Sequence, residues 1–165
     1  MPRNFIPFVG WEQRKQLSDA YAHWLSTQEL DWWVTLNFNR SKTLLGVRNQ
    51  FRHWLGCLDS EHLGRNWSKR GIDERTFAFA VVEHPQTNVH LHALLRMPKP
   101  ARALRRPYQS ESMINHWRKI EPAGSCCEEW VEEIEGVARY MCKELPFPGH
   151  LENCIMMSTD FHNFR

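Results

Sequence analysis

His90 and His92 are separated by one residue within Glu83–His92, EHPQTNVHLH. On a β-strand that spacing sends both imidazoles to one face, while Leu91 between them points to the other, into a core. Two adjacent imidazoles make a poor apolar surface but a good pair of ligands for a divalent cation. Hairpin geometry supplies a third ligand. If residues 85–88 form the loop, His84 faces Val89 and Glu83 faces His90, which puts the carboxylate on the histidines' face within cross-strand reach. A slip of one residue would present His84 instead. Two histidines and a carboxylate with open positions suit a catalytic site more than a structural one. Such a donor set takes Mg²⁺ or Mn²⁺ and binds Zn²⁺ as well. An HxH pair alone is a weak signal, and a second motif gives it weight.

That motif is ARYMCKE, Ala138–Glu144, in which Tyr140 and Lys143 are three apart and share a helix face. A phenol is a weak nucleophile at its free pKa of about 10. A nearby ammonium and a metal that polarises the electrophile are the usual kinds of help. The plainer reading of the tetrapeptide alone is a core tyrosine beside a lysine whose stem lies along it.

The elements that position these residues are legible from hydrophobic period. Trp11–Gln28 reads as an amphipathic helix with Leu17, Tyr21, Trp24 and Leu25 on its stripe. Asp31–Phe38, DWWVTLNF, reads as a strand. A second helix covers Lys42–Leu63, with Leu44, Val47, Phe51, Trp54, Leu55 and Leu58 on one side, and Gly64–Arg75 is a connection. Two strands follow, Arg75–His84 and Asn88–Met97, at hairpin separation. Pro98–Tyr108 has three prolines and no acidic residue, which predicts a basic loop. Ser110–Ile120 predicts a helix capped by Ser110, with Met113, Ile114 and Trp117 inward. A strand within Ser125–Ile134 and a short helix over Glu135–Leu145 complete the readable part; the tail after it carries no clear period. The order predicts an α+β domain with a mostly antiparallel sheet.

With 165 residues, 42% hydrophobic and 24% charged, the chain suits a single domain over 1–165. Mean hydropathy is -0.58. The longest apolar run, Phe77–Val82, is six residues, against the roughly 20 needed to span a bilayer. This excludes a helical membrane span, and MPRNFIPFVGW carries no secretory signal. The formal net charge of +2 means that any basic footprint is local. Five cysteines without a CxxC pair point to a reducing compartment, the cytoplasm. A set of Cys126, Cys142, His150 and Cys154 matches no zinc module, so core or solvated thiols are expected.

Taken together, the motifs resemble those of the HUH endonucleases. His90-Leu91-His92 is similar to their His–hydrophobic–His motif and Asp31–Phe38 to their first motif strand. Tyr140–Lys143 is similar to the Y-x-x-K tyrosine motif of rolling-circle replication initiators. The three follow in the family's order at intervals of about fifty residues, over a core of about 31–145. The resemblance implies an antiparallel sheet of about five strands flanked by helices, related to the RNA-recognition (ferredoxin-like) fold. It also implies a metal-dependent nickase of single-stranded DNA, acting at an origin or hairpin. Carried over, His90, His92 and Glu83 hold Mg²⁺ or Mn²⁺, Tyr140 forms a 5′-phosphotyrosine link, and Lys143 assists the phosphate or phenolate. With Glu at position 144 and Tyr108 remote, the chain looks like a one-tyrosine member of that family. No GxxxxGK[ST] loop is present, so no helicase domain is expected, and a host helicase and polymerase would serve replication. The first motif departs from the pattern, with Trp33, Thr35 and Asn37 on one side.

Arg96, Lys99, Arg102, Arg105 and Arg106 place five cations in eleven residues after the metal strand. Such a segment can contact phosphates, and Tyr108 at its end can stack on a base. A transposase of the same superfamily is an alternative function. Outside it stand a non-catalytic RNA-recognition-like module, which leaves the histidine pair unexplained, and a nuclease with a water nucleophile, which would not need Tyr140.

Overall fold

The computed structural model describes residues 10–143, 145 and 154–161. Its sheet is built from β1 (Trp32–Asn37), β2 (Phe77–Glu83), β3 (His90–Arg96), β4 (Ser125–Trp130) and β5 (Ile155–Met157). The strand order is β4-β1-β3-β2-β5 and every pairing is antiparallel. The helices are α1 (Trp11–Ser26), α2 (Leu44–Leu63), α3 (Lys99–Arg102), α4 (Arg106–Ile120) and α5 (Ile134–Cys142). From β1 to β4 the chain follows a β-α-β-β-α-β course in the ferredoxin-like order, with α3 and α4 together forming the second crossover. The fold is α+β, as expected.

One sheet face is apolar across β1, β3 and β2. Val34, Leu36, Ala80, Val82, Leu91, Ala93 and Leu95 pack there against Phe51, Trp54 and Leu58 of α2 and Met113 and Trp117 of α4. The other face is divided. At one end Phe79, Val81 and Leu94 are covered by Ala22 and Leu25 of α1 and by Ala138 and Met141 of α5. At the other end the same face carries Glu83, His90, His92, Thr35 and Asn37, brought side by side by the ladders. Alternation along the strands thus buries one half of this face and leaves the other polar.

Three expectations are corrected. Pro98–Tyr108 is not a loop: α3 fills its middle and α4 begins at Arg106. Pro98 precedes α3, while Pro100 and Pro107 sit in first helical turns, where a missing N–H costs nothing. Ser110 therefore lies inside α4 and donates its hydroxyl to Glu128 rather than capping the helix. On α1 the buried stripe is Ser18, Ala22 and Leu25; Leu17 is exposed, and Ser18 Oγ donates to the Cys142 carbonyl at 2.6 Å, tying α1 to α5. The fifth strand, β5, lies in the tail that showed no period.

The polar end of the sheet is braced from below by Glu121, which is wholly buried at the end of α4. Its carboxylate takes Arg40 and Lys42, both at 2.7 Å, and Gln50 at 2.9 Å. Burial pushes its pKa up, but the bonds from Lys42, Gln50 and Arg40 outweigh that and hold it below the ordinary range. A depressed folded pKa stabilises the fold above the unfolded value and is lost as the pH falls through it. Glu121→Gln is expected to cost about 2–3 kcal/mol at pH 7. The difference from wild type should shrink well below the ordinary glutamate pKa of about 4.3. Urea unfolding at pH 7 and pH 3 checks this; an equal loss at both would mean that charge is not the source.

Candidate metal centre and its tyrosine

β3 is the central strand, and both histidines stand on it. The ladder pairs Glu83 with His90 and Val81 with His92, the register drawn from the sequence. It stops there because His84 has φ 50° and turns the chain, and its carbonyl accepts from the Thr87 N–H at 3.1 Å. His84 is exposed, though its ring lies 5.3 Å from that of His90.

Glu83 is buried, and its Oε2 lies 3.3 Å from His90 Nε2 and 3.5 Å from His92 Nε2. One ligand atom from each of the three residues falls within 4.8 Å of the others. The remaining ring nitrogens are occupied. His90 Nδ1 faces the Asn88 carbonyl at 3.0 Å, so it must carry the proton and donate. In the neutral ring Nε2 then turns a lone pair toward the carboxylate. His92 Nδ1 is bonded to Thr35 Oγ1 at 2.9 Å, a hydroxyl that can accept or donate; when Nδ1 is the donor, Nε2 is free in the same sense. In that tautomer the two lone pairs and the carboxylate converge on one point, the arrangement a cation would bind. Burial holds His92 below the ordinary histidine range against the pull of Glu83, favouring the neutral ligand form. Glu83 Oε1 is buried with no hydrogen-bond partner among the described residues. Imidazole, imidazole and carboxylate, each outer nitrogen anchored, fit a divalent cation.

Tyr140 and Lys143 meet this centre from α5. Glu133 caps that helix, accepting from the N–H groups of Glu135 and Gly136. Tyr140 is 51% exposed rather than a core residue, and Lys143 Nζ lies 3.6 Å from its ring centroid. Trp33 stacks on His92 at 4.8 Å and meets Tyr140 edge-on at 5.9 Å; the His92 and Tyr140 rings are 6.3 Å apart. Nothing matches this chain in comparisons with protein-family models, curated proteins or solved structures. Beside these rings opens a cavity of about 670 Å³ with Trp33, Trp130, Val137 and Tyr140 among its walls.

Two contributors were not assigned roles by sequence reasoning. Trp33 and Thr35 stood out only as two members of one side of the first strand; their partners become visible once β1 is paired with β3. Thr35→Val keeps the shape but removes the hydroxyl, and is expected to weaken Mn²⁺ binding about tenfold. Titration calorimetry checks it, and unchanged affinity would show that Thr35 does not orient His92.

The basic residues do not gather at the histidines. Arg96 ends β3, six residues beyond His90, a distance of about 20 Å. Its guanidinium lies over Phe77. Arg102 pairs with Asp31 at 3.0 Å and Glu29 at 3.5 Å, and Arg106 lies over Trp130 at 3.9 Å. Lys99 and Arg105 are exposed, and Tyr108 is 61% exposed on α4 rather than in a loop. Cys142 and Cys154 are buried in different cores, and His150 lies outside the described residues. Burial pushes the Cys126 and Cys142 thiols up to about 12, which makes both inert. Among the described residues no helix is long and apolar enough to cross a membrane.

Proposed function

We propose that this protein nicks and rejoins single-stranded DNA through a 5′-phosphotyrosine link to Tyr140, the chemistry of the HUH endonucleases it resembles, and so initiates rolling-circle replication. The observation that carries this reading is the adjacency of His92, Trp33 and Tyr140. A phosphodiester at the triad would then lie within reach of a phenol from another element.

In this mechanism Tyr140 Oη attacks the phosphorus as its proton passes to water. The bond to the 3′-oxygen breaks, and that oxygen leaves as a hydroxyl after taking a proton from solvent. Glu83, His90 and His92 would hold a divalent cation, which when bound draws charge from the non-bridging oxygens. Lys143 adds positive charge beside the phenol and the incoming phosphate. The cavity beside Tyr140 offers Trp33 and Trp130 for an unstacked base, which favours a single strand over a duplex, while Glu129, Glu132 and Glu133 in the same wall would keep the backbone phosphates out of it. Rejoining is the reverse attack by a 3′-hydroxyl. DNA at an origin or hairpin, a host helicase and polymerase, and a reducing cytoplasm compatible with five free thiols complete the proposal.

The test is incubation with a pool of single-stranded oligonucleotides and Mn²⁺, followed by denaturing electrophoresis. A protein–DNA band that survives denaturation and vanishes in EDTA is expected. Cleavage without such a band would indicate a water nucleophile. Binding without cleavage would indicate a non-catalytic module.

A further inference from the structure

On the opposite side of the sheet, at the far end of β2 from Glu83, a second cavity of about 610 Å³ lies between α2 and the short helical turns Trp67–Lys69 and Ser158–Phe161. Its size suits a small ligand. Asp59, the one carboxylate among the described residues of its wall, is 2% exposed and fully engaged. Asp59 Oδ1 accepts from the Thr76 N–H and hydroxyl, both at 2.7 Å, and Oδ2 accepts from Arg75 Nε at 3.2 Å. Arg75 is itself nine-tenths buried, with its guanidinium 4.7 Å from the Trp67 ring. Asp59 and Trp67 therefore fix the fork in place.

The two terminal nitrogens of Arg75 have no hydrogen-bond partner among the described residues, and neither is sealed from solvent. Ser158 Oγ accepts from the Ala78 N–H at 3.0 Å, which leaves its own proton to donate. Lys69, exposed, stands at the rim. Among the described residues of the wall the one carboxylate is already satisfied, and the open groups are mainly donors. Two terminal nitrogens of Arg75, the Ser158 hydroxyl and the Lys69 ammonium are donors enough for the three terminal oxygens of a phosphate monoester, one more than a diester offers. A guanidinium held rigid by a buried carboxylate loses little entropy on binding such a group.

We propose that this cavity binds a phosphate monoester, with Arg75 as the fork that grips it and Lys69 as the rim charge. The site is separate from the metal centre and does not depend on the nicking activity. The group can arrive as inorganic phosphate, a nucleotide, or the 5′-phosphate of a strand, and titration distinguishes these. The intact protein is titrated calorimetrically with inorganic phosphate, a nucleoside 5′-monophosphate, and a short oligonucleotide with either a 5′-phosphate or a 5′-hydroxyl.

One phosphate-bearing ligand per chain is expected, and the source is the ligand that binds tightest. Lys69→Ala should weaken it about tenfold, and Arg75→Lys, which keeps the charge but loses the fork, at least as much. His92→Ala should leave it unchanged. Absence of heat with every phosphate ligand, equal binding in both cavity variants, or loss of binding in His92→Ala would each overturn the proposal. If circular dichroism shows Arg75→Lys unfolded, the exposed Lys69 decides alone, with Lys69→Glu expected to abolish binding.

Discussion

Tyr140→Phe is expected to remove both cleavage and the covalent adduct, a loss of at least about 10⁴-fold, while leaving fold and DNA binding close to wild type. The change deletes one oxygen. Phe keeps the edge contact with Trp33 at 5.9 Å and the ring beneath Lys143 Nζ. Because the side chain is 51% exposed, the stability change should stay within about 0.5 kcal/mol. The two other tyrosines cannot easily substitute. Tyr21 packs on Phe79 at a centroid distance of 5.4 Å, on the covered half of the sheet face. Tyr108 stands on α4, beside a different cavity lined by Glu61, Ser112 and His116. Digestion of the wild-type adduct and mass spectrometry should place the nucleotide on the peptide containing Ala138–Lys143. A label on Tyr108, or a Phe variant that still cuts, would reject the nucleophile assigned here.

The centre was largely legible because its geometry is local. An HxH spacing on a strand and a short hairpin constrain Glu83, His90 and His92 with no knowledge of the rest of the chain. The buried stripe of α2 was legible for the same reason, since a helix of twenty residues repeats its period many times. What escaped depends on distant partners. Thr35 and Trp33 acquire their roles only when β1 is laid beside β3, and a strand's sequence does not say what it will pair with. On α1 Tyr21, Trp24 and Leu25 pack as read, and only Leu17 departs. Ser18 looks polar in sequence but is buried because the Cys142 carbonyl on α5 accepts its hydroxyl, so Leu17 turns outward. The prolines of residues 98–108 read as breaks because composition alone does not separate a first helical turn from a loop. β5 has three residues, too short for any alternation to register.

Glu83→Gln should abolish Mn²⁺-dependent cleavage and His84→Ala should leave it nearly intact, since the ladder closes on Glu83↔His90 and His84 turns away at φ 50°. The pair of variants also has a readout independent of catalysis. Without metal, Glu83 is a buried carboxylate whose Oε1 lacks a hydrogen-bond partner and whose Oε2 faces two imidazole nitrogens. Replacing that charge by a neutral amide removes a desolvation penalty, so the metal-free variant should match the wild type in stability or exceed it by about 1 kcal/mol. Added Mn²⁺ should reverse the ranking. A ligand that binds only the folded state at a hundred times its Kd stabilises by about 2.7 kcal/mol. Wild type and His84→Ala should show that rise in thermal unfolding, and Glu83→Gln should show almost none at the same concentration. If His84→Ala loses the metal response while Glu83→Gln keeps it, the third ligand is His84 and the loop rearranges on binding. If all three proteins respond alike, the two histidines hold the cation without either neighbour, and the buried carboxylate needs another explanation.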